Sequence, residues 1–105
     1  MTCNILEKMK KTIEALERLN NISKKPVVSQ EILDDRKEDI VVLEDYFENL
    51  DKTIDALNNS KREDFGKILD NIVQLHYVYL DAFEFLESVH KIIDKFIINY
   101  EELNE

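Results

Sequence analysis

Across 105 residues this chain has one proline, Pro26, and one glycine, Gly66. Proline lacks a backbone N–H and clashes with the preceding helical turn, and glycine costs about 1 kcal/mol in a helix interior. A chain with one of each has almost nowhere to be forced out of a helix. Apolar residues recur at spacings of three and four from end to end, the period of helices with one buried face. The fold class is therefore all-α.

Three helices follow from the local signals. The first is expected over about 4–21, with Ile5, Leu6, Met9, Ile13, Leu16 and Leu19 on one stripe. Pro26 pushes Lys25 out of the helical region and separates this helix from the next. The second is expected over about 30–58, with Ser29 as N-cap and acids in its first turns to suit the helix dipole. Its seam reads Ile40, Leu43, Phe47, Leu50, Ile54 and Leu57. Ser60 and Glu63 have the spacing of a capping box, which starts a third helix over about 61–104, with a break near 87–95 as an alternative. So short a link between the second and third helices predicts an antiparallel hairpin with the first helix alongside, a three- to four-helix bundle forming a single domain over 1–105.

The lengths lead to a further expectation. The second helix covers the third only to near Val89, at about 1.5 Å per residue. An unbroken third helix then projects its last residues, which include Ile92, Ile93, Phe96, Ile97, Ile98, Tyr100 and Leu103. Its middle is apolar on nearly every side, and a helix apolar all round is buried all round. A homodimer with a shared core is expected, with Tyr79, Phe83, Leu86, Ile93, Phe96, Ile97 and Tyr100 as interface candidates.

The net charge is −9, which disfavours direct binding to nucleic acid phosphates. Residues 1–30 carry six basic and three acidic side chains, and residues 31–58 carry ten acidic and three basic, so the first two helices are expected to attract each other. No apolar run reaches the roughly 20 residues that a membrane span needs. The first residues lack the pattern of a secretory signal, and the lone Cys3 suits a reducing compartment, so the expected location is cytoplasmic.

Catalytic and metal constellations are sparse. Glu87 and His90 match the Glu-x-x-His spacing of di-iron bundles, but His76 has Val73 three residues before it, so a second motif is missing. One glycine cannot build a phosphate-cradling loop. No catalytic residue, metal or cofactor is expected, and the chain is read as a non-enzyme.

Two surfaces remain as candidates for protein binding. Glu31, Asp34, Asp35, Glu38, Asp45 and Glu48 fall on the side of the second helix opposite its apolar seam. Tyr77 shares an arc of the third helix with Asp81 and Glu84, an aromatic anchor amid acids. The expected function is that of an acidic helical protein binding an unidentified protein partner. It would act as an inhibitor or an immunity- or anti-defence-type factor that occupies a basic groove. The alternative is a structural subunit or assembly factor presenting a coiled-coil-like surface.

Overall fold

The computed structural model describes residues 4–99 and 101. The described residues form three helices: α1 (Asn4–Ile22), α2 (Gln30–Asn58) and α3 (Phe65–Ile98), with one 3-10 turn, Arg62–Asp64, leading into α3. The chain is all-helical, as its breaker-poor sequence demands. None of the described helices is long and apolar enough to cross a membrane.

Local chemistry sets most of the boundaries. Ser29 caps α2, its hydroxyl accepting the Ile32 amide at 3.3 Å. The turn into α3 differs from the Ser60–Glu63 box. Ser60 Oγ instead donates to the Ala56 carbonyl at 2.6 Å, and the Lys61 amide donates to Asp64 Oδ2 at 3.0 Å. The box has moved on by one residue because Ser60 is held by the end of α2. Gly66, in the first turn of α3, does not interrupt it, and α3 runs unbroken through 87–95 to the Asn99 cap.

The molecule measures 65 × 23 × 18 Å with a radius of gyration of 18.2 Å. A compact chain of this length would have about 13 Å. The extension comes from uneven cover. α2 and α3 pack together, and α1 packs against α2, meeting its N-terminal half at Leu33, Lys37 and Ile40. The core joins Leu6, Ile13 and Leu16 of α1 to Leu33, Ile40 and Leu43 of α2 and to Phe85, Val89, Ile92 and Phe96 of α3, with Val28 of the α1–α2 turn. At one end three helices share the core, and at the other only α2 and α3 pack together.

A seven-residue row on α2 records where the cover ends. Ile40 is 2% exposed, Phe47 is half-buried and Ile54 is 40% exposed. Ile54 thus leaves the seam expected for it, and Thr53 is buried there instead, its hydroxyl donating to the Asn49 carbonyl at 3.3 Å. The Ile40 row flanks the hairpin seam, and α1 is too short to follow it to the tip.

The expected projection of the α3 C-terminus is corrected by the register. Arg36, Asp39, Val42 and Leu43 of α2 line one cleft with Asp81, Glu84, Phe85 and Ser88 of α3, which sets the turn of α2 around Ile40 about level with the turn of α3 around Glu84. The same offset carried to the start of α2 puts Gln30 about level with Asp94. α2 therefore reaches further along α3 than expected, and α1 with the Val28 turn covers the rest. Phe96 is 6% exposed and Ile93 packs on the same core, so neither depends on a second copy for cover. Tyr100 and Leu103 lie outside the described residues.

Candidate interaction surfaces

α3 carries two apolar series, one residue out of step. Ile68, Asn71, Leu75, Val78, Ala82, Phe85, Val89, Ile92 and Phe96 alternate spacings of three and four, and all are buried or half-buried. This is the series shielded by the other helices. Leu69, Ile72, His76, Tyr79, Phe83 and Leu86 repeat the same alternation one position later, preceded four residues earlier by Phe65. One residue is about 100° of rotation, so the second series forms a separate stripe on the outer side of α3. All seven of its residues are exposed, with Phe65 at 75%, Tyr79 at 65% and Phe83 at 62%. Val73 and Leu80 are exposed beside it. No Asp, Glu, Lys or Arg stands in the stripe from Phe65 to Leu86, and His76 is its one titratable imidazole.

Of the residues expected at an interface, Tyr79, Phe83, Leu86 and Ile97 are exposed on α3. Phe65, Leu69, Ile72, Val73 and Leu80, which are not among those expected residues, are exposed on α3 as well. The signal for them was present: it emerges once the α2-facing series is subtracted from an apparently all-round apolar helix.

The α2 acids Glu31, Asp34, Asp35, Glu38, Asp45 and Glu48 are all exposed. They do not form an unbroken sheet of charge, because Val41, 63% exposed, also lies on this outer side. The expected attraction between basic α1 and acidic α2 takes the opposite sense where the helices meet. The joining ion pair is Lys37 of α2 with Glu17 of α1, Nζ to Oε2 2.7 Å. Gln30 also donates to Glu17. Hydrogen bonds from Lys37, then Gln30, hold the Glu17 carboxyl below its ordinary pKa, and the bond to Glu17 raises that of Lys37. Lys8, Lys10, Lys11 and Arg18 point to solvent.

The cleft, of about 360 Å³, is lined by Arg36, Asp39, Val42, Leu43, Asp81, Glu84, Phe85 and Ser88. Arg36 Nε lies 2.7 Å from Asp39 Oδ2. Asp81, half-buried, and Glu84, exposed, line its α3 side together with Phe85 and Ser88. Tyr77, 56% exposed, does not line it, and its ring meets His76 edge-on with centroids 5.5 Å apart.

The Glu-x-x-His pair is engaged in neighbouring ion pairs along α3. Glu87 Oε1 lies 3.1 Å from Lys91 Nζ, and His90 Nδ1 lies 3.6 Å from Asp94 Oδ2, an ion pair when His90 is protonated. Both side chains point along the surface of one helix.

No family model, curated protein or solved structure matches the chain. The class to which it can be assigned is architectural: an all-helical protein with a three-helix end and a two-helix end.

Proposed function

We propose that this is a non-catalytic protein-binding subunit whose working surface is the outer stripe of α3. One observation carries the reading. The stripe keeps heptad spacing from Phe65 to Leu86 on a face that no other described element covers. An amphipathic helix normally gives its outer face to charge, and a large contiguous apolar patch marks an interaction site. Heptad spacing suits a partner helix packed at a shallow angle. This favours a structural or assembly role, with the acidic α2 face turned away from the apolar contact. A single cysteine accords with a cytoplasmic setting.

The second reading is an inhibitor that uses the α2 acids to occupy a basic groove. Their exposure supports it. Capture of a partner from native cells separates the two readings. Phe83→Glu should abolish capture if the stripe is the working surface. The triple change Glu38→Gln, Asp45→Asn, Glu48→Gln should abolish it if the acids are. Retention of capture by Phe83→Glu, with loss in the acidic variant, would transfer the function to α2.

A further inference from the structure

We infer that the stripe on α3 is occupied by the α3 of a second copy of this chain, running antiparallel, with His76 of each copy against Tyr79 of the other. The inference rests on the reading of α3 as a docking face and adds the partner and the register.

Area comes first. Aromatic side chains bury on the order of 150–250 Å² each, and Leu, Ile and Val fall at or below about the lower end of that range. Phe65, Leu69, Ile72, Tyr79, Phe83 and Leu86, with Val73 and Leu80 beside them, are on average about half-exposed. They leave roughly 850 Å² of apolar surface, against about 800 Å² per partner in a standard stable interface. One copy of the stripe is therefore enough for each side of a dimer.

Charge comes next. Two chains of net charge −9 repel each other over most of their surfaces. Between Phe65 and Leu86 the acids are Asp70, Asp81 and Glu84, and none belongs to the stripe series. Self-pairing here places no carboxylate of the stripe against another.

Shape and polarity select the direction. In antiparallel heptad packing, the two kinds of seam position alternate across the contact. Leu69 then meets Leu86, Ile72 meets Phe83, and His76 meets Tyr79, twice over by symmetry. The imidazole gains a phenol as hydrogen-bond partner, which meets the requirement that buried polar groups be paired. Parallel packing would set His76 against His76 and Tyr79 against Tyr79. The antiparallel register also brings the bare hairpin tip of each copy level with the three-helix end of the other, so the thin half of one lies beside the thick half of its mate.

The test measures mass and register together. In a Cys3→Ser background, Leu69→Cys protein is mixed with Leu86→Cys protein and oxidised in air, while the parent chain is weighed by light scattering at about 100 µM. A mass of two chains, with disulfides joining the two variants and no self-linked product, is the expected result. Self-linked product from either variant alone would overturn the register. A mass of one chain would overturn the dimer, yet the docking face would survive if Phe83→Glu still abolished partner capture. A dimer that persists unweakened in Phe83→Glu would remove both.

Discussion

Asn20 and Val28 are bound to each other twice: Asn20 Nδ2 donates to the Val28 carbonyl at 2.8 Å, and the Val28 amide donates to Asn20 Oδ1 at 3.2 Å. Oδ1 also accepts the Val27 amide at 2.6 Å. A 4%-exposed side chain on the last turn of α1 thus closes the turn that contains Pro26. It fixes the direction in which α1 returns along α2.

Asn20→Ala leaves two amides and a carbonyl of this turn without their partner. Such losses cost about 1–3 kcal/mol for each group that stays buried, less where water enters. A total loss of about 2–4 kcal/mol is expected, read as a lower urea midpoint with little change in slope. Asn20→Asp keeps the two acceptor bonds but turns a carboxylate oxygen towards the Val28 carbonyl in a buried site, so at neutral pH it should lose at least as much.

Phe83 and Phe85 are two residues apart on α3, yet their substitutions should differ sharply. Phe85 is 4% exposed in the core, so Phe85→Ala should cost about 3–5 kcal/mol of folding stability. Phe83→Ala should change the stability of the isolated chain by no more than about 0.5 kcal/mol. Its effect should fall on self-association, measured by sedimentation.

Salt separates the two proposed surfaces by sign. Apolar pairing of two chains of charge −9 should tighten as salt screens their repulsion. Occupation of a basic groove by the α2 acids should weaken over the same range. Dimer affinity and partner affinity, each measured between about 0.05 and 0.5 M salt, a range over which the screening length falls severalfold, give the two signs.

The Glu17–Lys37 pair predicts a pH dependence. Glu17 titrates below its ordinary value of 4.5, so its contribution is present above that pH and is lost as pH falls through the lowered pKa. Lys37 titrates above its ordinary 10.5, so its contribution is complete below that value and is lost only as pH rises through the raised one. The urea midpoint of Glu17→Gln should lie below that of the parent by a constant amount from pH 6 to 8. The difference should shrink below pH 4.5.

Gly66→Ala should stabilise the chain. A Cβ placed there meets nothing within 4 Å, and Gly66 does not have a positive φ. Removing the glycine cost within a helix is worth about 0.5–1 kcal/mol, which for a domain of this size raises Tm by roughly 2–8 °C in a thermal melt.

Helix number and the Ser29 cap were legible because each depends on residues within a few positions of one another, whereas the box expected at Ser60 forms one residue later. The acids of α2 could be placed on its outer face for the same reason: helical period relates them without any knowledge of neighbours. The sequence alone also holds both apolar series of α3, written one residue apart. Which of the two is covered depends on the face that α3 turns to α2 and, towards its C-terminus, on α1, whose direction is set by Asn20 reaching across to Val28. Burial is a property of the space between elements, and periodicity within one helix carries no record of it. Tertiary structure therefore decided that Phe96 belongs to the core and Phe83 to the surface.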